Sequence, residues 1–476
     1  MSVETQSFPN VLTLGGDDRL VLKKDGTNKY FIQPFPADEA FFRGSCTCNS
    51  PTRSGYNVAQ KFHMQLVSGQ TKHGDIMNDI RRRLLKVFDL PRGTNVVLMP
   101  SGSDAEYIPL LVAQMMQPEK KIVNVVTCNE EVGSGTLNAA GGKFFSAVEP
   151  IPGQSQQCSV NSVLKGFEGI ETVPVNARCD KGMTIDGTFA IKTTIARCLS
   201  EGAYPIIHTV MGSKTGIIEK YPQIESSDVL VVVDACQGRF TQADIQDCIN
   251  RGAIVLFTGS KFFRGPAFSG AVFLPESICS KVKNTQFTIP SGLNSFISKY
   301  EIPESWESWR SQLSDHENRG LALRWLCALD EIEKTLAIDE AIRLEAQKLW
   351  RSRIIIELQK YDRLQLFDSE DTDTIVSISI YSSVGEWFTK PQLTKIFKWM
   401  TIDMSDYLSG SIAEMSCFIG QPVFITSKLA VLRLALGSDS LRNVIDNLEQ
   451  EIQASNNAPG NAKARRYSVM KFSKRN

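Results

Sequence analysis

Val231-Val232-Val233-Asp234-Ala235-Cys236-Gln237 and Phe257-Thr258-Gly259-Ser260-Lys261-Phe262-Phe263-Arg264-Gly265-Pro266 are two apolar runs, each breaking off into polar residues. Near-continuous Val, Leu and Phe is the pattern of a strand covered by helices on both faces of a sheet. Lys261 follows Asp234 by 27 residues, room for a turn, a helix and a second strand. Two such strands run parallel, so the carboxylate ending the first and the lysine following the second project into one cleft.

Working outward, the same alternation predicts strands over 95–99, 122–127, 205–210, 229–233, 253–258 and 270–274. Helices are expected between them over 76–88, 105–115, 188–199 and 244–251. Strands alternating with helices imply an α/β fold with a mainly parallel, doubly wound sheet, whose ligands sit at the carboxyl ends of the strands. Beyond residue 310 long helical patterns over 320–336 and 339–360 lead to strands over 375–381 and 430–436 and helices over 390–406 and 439–454. The expected organisation is an N-terminal arm (1–55), a large domain (56–310), a smaller C-terminal α+β domain (311–455) and a flexible basic tail (456–476). The stretch 150–184, rich in Gly, Ser and Gln, reads as an insert without an evident purpose.

Composition narrows the function. The 42% hydrophobic and 22% charged shares are those of an ordinary globular chain. The 52 basic residues cancel the 52 acidic ones, so no net field favours nucleic acid or an anionic membrane. No apolar run approaches the 18 residues of a membrane span, and the first ten residues lack the pattern of a secretory signal. Eleven scattered cysteines suit reduced thiols in the cytoplasm, and four histidines without ligand spacing give no metal site. Gly133-Ser134-Gly135 lacks the third glycine of a dinucleotide fingerprint, and Gly212-Ser213-Lys214-Thr215 lacks the spacing of a P-loop.

A strand-end carboxylate facing a strand-end lysine suits pyridoxal 5'-phosphate, whose aldehyde takes up an amine and whose ring nitrogen pairs with an acid. On Asp234, Gln237, Lys261 and Gly265-Pro266 the sequence resembles the fold-type I pyridoxal-phosphate enzymes, and more narrowly the class V aminotransferase and cysteine desulfurase family. That family carries D-A-x-Q at one strand end and, past the next strand, a lysine followed by G-P. The resemblance implies that Lys261 forms the Schiff base and then moves the Cα proton. Asp234 would keep the ring nitrogen protonated, and Gln237 would bond the ring oxygen.

Other site residues follow from the same resemblance. Met99-Pro100-Ser101-Gly102-Ser103-Asp104-Ala105-Glu106 reads as strand, turn and helix start, where backbone N–H groups meet an anion. The family holds the cofactor phosphate there, so Gly102, Ser103 and Asp104 are expected to bind it, with the hydroxyls of Thr258 and Ser260. Ser260 stands where desulfurases commonly carry His. Ser213, opening Ser213-Lys214-Thr215-Gly216, matches the segment that approaches the ring, in the form the aminotransferase branch uses. Glu131 is nearest the place of the residue that stacks on the ring; either a neighbour stacks instead, or its carboxylate acts there as an acid or base. Arg433, alone in an apolar strand, would clamp the substrate carboxylate, the alternative being a salt-bridged edge residue. Cys417, 16 residues earlier, has a spacing similar to a sulfur-accepting loop cysteine. Cys46 and Cys48 would pack or line the substrate mouth, His208 would lie near the cofactor, and Arg319 and Arg324 would face solvent or reach a partner's phosphate in the homodimer usual for the family. The expected activity is transamination of a small amino acid. Cleavage of a C–S bond, in the manner of a lyase or desulfurase, is the main alternative, and a cofactor-binding protein without turnover is the third.

Overall fold

A computed structural model describes residues 7–44, 49–154, 158–222, 228–367 and 372–457. Cys46, Cys48 and the basic segment from Lys463 onward lie outside the described residues. The strands are β1 (Phe41–Arg43), β2 (Asn95–Met99), β3 (Ile122–Val126), β4 (Glu171–Pro174), β5 (Tyr204–Val210), β6 (Leu230–Asp234), β7 (Ile254–Thr258), β8 (Gly270–Leu274), β9 (Leu364–Phe367), β10 (Ile375–Ile380), β11 (Cys417–Phe424) and β12 (Ala430–Ala435).

The first seven after β1 form one sheet in the order β2-β8-β7-β6-β5-β3-β4. Pairing from β7 to β4 is parallel, and β8 runs antiparallel to both neighbours. A parallel return needs a long crossover, usually a helix, whereas β7 reaches β8 through the short segment 259–269, which therefore folds back directly. Period-two alternation covers both faces. Val96, Leu98, Val255 and Phe257 join a core packed under the helices His73–Val87 and Arg319–Leu336, while Val97, Met99, Ile254 and Leu256 join another with Tyr107–Met116. The doubly wound, mainly parallel sheet is thus the observed one.

The smaller sheet has the order β1-β11-β12-β10-β9. Its outer strand β1 comes from the N-terminal arm and pairs in parallel with β11. The six strands expected in the large sheet are all present, and β4, inside 150–184, adds a seventh. The sequence also gave no sign of β1, β9, β11 or the helix Arg53–Val67. No helix among the described residues is long and apolar enough to cross a membrane.

Candidate active site

The carboxyl ends of β3, β5, β6 and β7 point to one edge of the large sheet, and antiparallel β8 between β7 and β2 puts Met99 at that edge too. The segments leaving those ends, with part of the smaller sheet, wall a cavity of about 250 Å³. Gly102, Ser103, Asp234, Gln237, Thr258, Ser260, Lys261 and Arg433 all line it.

Asp234 is the last residue of β6, opposite Leu256 on β7, whose continuation carries Lys261. The side chain of Asn49 fixes that continuation by donating to the backbone carbonyls of Ser260 (3.3 Å) and Lys261 (3.0 Å). The Lys261 amine has no partner among the described residues. Asp234 accepts the N–H of Cys236 at 2.9 Å. Buried behind it, His208 Nε2 lies 2.8 Å from Glu106 Oε1, and the three groups fall within 4.8 Å of one another. Burial pulls the imidazole down, yet the Glu106 and Asp234 charges outweigh it and raise His208 to about 9. Burial in turn pushes the Glu106 carboxyl up against the pull of His208. The pair therefore shares a proton behind Asp234 rather than offering an open ligand set.

At the other end, the N–H groups of Gly102 and Ser103 find no acceptor among the described residues, whereas those of Asp104 and Ala105 bond to the Ser101 hydroxyl (3.2 Å) and carbonyl (3.1 Å). A Cβ on residue 102 would stand 2.8 Å from Cys236 Sγ, so only glycine lets the turn close this tightly. Thr258 donates to Ser269 O at 2.6 Å and sits 2.8 Å from the Ser260 hydroxyl, which leaves Ser260 the group able to turn toward the cavity. Two unpaired N–H groups and a hydroxyl converging at a turn fit a phosphate.

Arg433 reaches the cavity from β12. Across from it on β11 is Gly420, where a Cβ would come within 2.8 Å of Arg433 Cβ. The guanidinium donates through Nε and Nη2 to Gln421 O (3.2 and 2.9 Å) and through Nη1 to Lys214 O (3.1 Å). One hydrogen on each terminal nitrogen is left over for a carboxylate.

Four sequence candidates lie outside the cavity wall. The Glu131 carboxylate is consumed: it accepts Arg178 Nε (2.5 Å), the hydroxyl (2.6 Å) and N–H (3.1 Å) of Thr215, and the hydroxyl of Ser213. That network holds it below the ordinary carboxylate range despite burial, and keeps both its oxygens engaged away from the cavity wall. Ser213 is tied up in the same network. Asp104 is fully buried, and burial with Asp17 nearby pushes it up to about 7. Cys417 opens β11 half-buried, its thiol raised by burial. Arg324 is neither at the surface nor free to reach a partner. It is buried and donates to the carbonyls of Phe268 (2.5 Å), Leu12 (2.9 Å), Leu14 (2.6 Å) and Gly15 (3.1 Å), pinning the N-terminal arm. Arg319 pairs with Glu317 at 2.9 Å.

The wall also holds residues the sequence did not single out: Arg19, Tyr30, Lys214, Phe268, Lys390 and Gln421. The guanidinium of Arg19 lies 4.0 Å over the Phe268 ring and 3.2 Å from the Ser101 hydroxyl, with Asp17 as its ion-pair partner. Tyr30 and Phe268 supply the aromatic surface that Glu131 does not. Their place in the arm and in the β7–β8 segment carries no local pattern that marks them as site residues.

No protein-family model matches the chain, and no curated protein resembles it significantly in sequence. Solved structures do match in shape. Ureidoglycine–glyoxylate aminotransferase of Bacillus subtilis aligns over 92% of this chain and 99% of its own at 13% identity, with a TM-score of 0.51. Mouse CSAD without ligand aligns over 87% and 83% at 12% identity, TM-score 0.52. A NifS-like protein aligns over 87% and 99% at 11% identity, TM-score 0.51. The architecture is the fold of the fold-type I pyridoxal-phosphate enzymes.

Proposed function

We propose that the chain is a pyridoxal 5'-phosphate-dependent enzyme acting at the α carbon of a small amino acid, and that the reaction is transamination. One observation carries the reading: Lys261 and Asp234, at the ends of adjacent parallel strands, share a cavity whose far end presents the unpaired N–H groups of Gly102 and Ser103. Bound there, the cofactor would supply an electron sink for the electrons left at Cα.

The protein's residues divide the remaining work. The turn at Gly102–Ser103 and the Ser260 hydroxyl orient the phosphate end. Asp234, which accepts the N–H of Cys236 and has the His208–Glu106 pair behind it, would hold a proton on the ring nitrogen. Gln237 borders the same region. Lys261, whose amine has no partner among the described residues, would hold the cofactor covalently and would be placed to carry the α proton. Arg433 takes the α-carboxylate on its two spare hydrogens. The C–S cleavage alternative called for Cys417 or Glu131 at the site, and neither side chain lies in the wall. Cys236, which does, is held protonated by burial. The proposal includes a homodimer, checked by light scattering.

The test is an absorption spectrum of the purified protein with and without Lys261→Ala, repeated with a panel of amino acids. A visible cofactor band absent from the variant, and release of a keto acid from one amino acid, is the expected result. A wild-type protein that takes up no cofactor refutes the assignment; cofactor uptake without any keto acid refutes transamination.

A further inference from the structure

The cavity wall is unequal in charge. Among the described residues Asp234 is its sole carboxylate, whereas Arg19, Lys214, Lys261, Lys390 and Arg433 are all cationic. Arg19 is matched by Asp17 and stands beside Ser101, at the phosphate end. The other four make no ion pair among the described residues, although the Glu131 charge acts on Lys214. Arg433 donates to the backbone carbonyl of Lys214, and the charges of Arg433, Lys261 and Lys390 all act on the Lys214 ammonium. Lys390, half-buried at the start of the helix Lys390–Met400, also lines the cavity and holds its ammonium 4.4 Å over the exposed Phe424 ring. Lys214 feels this crowding. Burial first, then the charges of Arg433 and Lys261, lower it to about 8 even though Glu131 pulls the other way.

Half-buried cations are seldom left uncompensated, because each loses hydration without a counter-charge. Under the cofactor reading, Lys261 is used for covalent attachment, the phosphate meets the turn beside Arg19, and one α-carboxylate satisfies Arg433. Lys214 and Lys390 then have no ion-pair partner among the described residues, only the charge of Glu131 and the ring of Phe424 respectively. We propose that the substrate is an acidic amino acid, with Arg433 holding its α-carboxylate and Lys214 and Lys390 holding a second carboxylate on its side chain. This rests on the cofactor assignment for the amino-acid part alone; the preference for a dianion follows from the wall itself. The loop that delivers Lys214 is fixed on both sides of it, since Glu131 accepts from Thr215 and Ser213 and its own carbonyl accepts the Lys214 N–H at 3.1 Å. The two lysines are thus specificity residues, one from each sheet's side of the cavity.

The test compares succinate with butyrate, four-carbon acids differing by one carboxylate, by calorimetric titration of the purified protein saturated with pyridoxal phosphate and again of protein without it. Wild type should bind succinate at least about tenfold more tightly than butyrate, the effect of one added charge-assisted contact. Lys214→Gln and Lys390→Gln should each reduce that ratio several-fold while leaving butyrate affinity within about twofold. Both replacements are polar, of similar length and at half-buried positions, and circular dichroism confirms their folding. A wild-type ratio under about twofold, or a ratio unchanged in both variants, overturns the proposal. If the protein takes up no pyridoxal phosphate, the cofactor reading fails by itself, and the ratio measured without cofactor still decides whether this end selects dianions.

Discussion

Replacing Arg178 by Met tests whether Glu131 is an anchor or a reacting group. Arg178 and Glu131 are both buried, with side-chain exposures of 5% and 0%. The guanidinium also donates to Gly182 O and to the Thr215 hydroxyl, each at 2.8 Å. Methionine keeps most of the volume but leaves the Glu131 carboxylate with hydroxyl and N–H donors and no cation. Removing one partner of a buried ion pair costs about 3–5 kcal/mol. The pH dependence has a definite sign. In the wild type the Glu131 pKa is held below its ordinary 4.5, so the network's contribution is present above that value and lost as pH falls through the folded pKa. In the variant burial is opposed only by the Ser213 and Thr215 hydrogen bonds, so the carboxyl rises from its wild-type position and takes up a proton at a higher pH, which relieves the penalty. The deficit, read from urea-unfolding midpoints of the cofactor-free protein, should therefore be full near neutrality and shrink as the solution is acidified. A loss under about 1 kcal/mol, or one that does not change with pH, refutes the anchoring role and reopens Glu131 as an acid or base.

Other consequences follow from single contacts. His208, raised to about 9 from 6.5, makes its pairing with Glu106 stabilising below pH 6.5 and progressively lost as pH rises through 9. Glu106→Gln removes the largest of the influences that raise His208 and leaves burial against the charges of Asp234 and Glu219, so imidazole NMR should show His208 titrating well below about 9 and the alkaline loss of stability should shrink; an unchanged His208 titration refutes the coupling. Arg324→Leu strips the Phe268, Leu12 and Leu14 carbonyls of their donor, Gly15 O keeping Asn318 Nδ2 at 3.0 Å, and should cost about 2–4 kcal/mol, with faster proteolysis inside the N-terminal arm as the local readout. Lys214, lowered to about 8 among Arg433, Lys261, Lys390 and Glu131, loses its charge as pH rises through that value, so succinate affinity should fall there. Lys214→Gln should abolish that step, and a step that persists assigns it to another group.

The parts of the site that were legible in sequence share one geometric origin. Asp234, Lys261, Thr258 and Gly102 each follow a buried apolar run, and in a parallel sheet every such run ends at the same edge. Knowing the run is enough to place the residue after it. Glu131 and Ser213 follow strands of that edge too, and the rule placed their backbones correctly while saying nothing of where the side chains point. Their carboxylate and hydroxyl turned toward Arg178, a residue inside the 150–184 stretch whose contribution only the fold reveals. Spacing along a strand sets which edge a residue reaches, and the choice between facing the cavity and facing the protein is made by partners far away in sequence.

The illegible parts depend on how separate pieces meet. Arg19 and Tyr30 belong to an arm held by Arg324 in the helix Arg319–Leu336, some three hundred residues downstream in the chain. Lys390 and Gln421 come from the smaller domain, whose outer strand β1 is itself donated by that arm. The arm thus contributes to the cavity wall and to the smaller sheet at once, tying the placement of Arg433 and Lys390 to the same segment that brings Arg19 to the phosphate turn. No local pattern encodes this, because none of these residues needs its neighbours in sequence to be what it is. Under the proposed function the covalent and electronic chemistry belongs to the strand ends of the large sheet, while the charge that would select a substrate is assembled where pieces distant in sequence meet, and the arm couples the two.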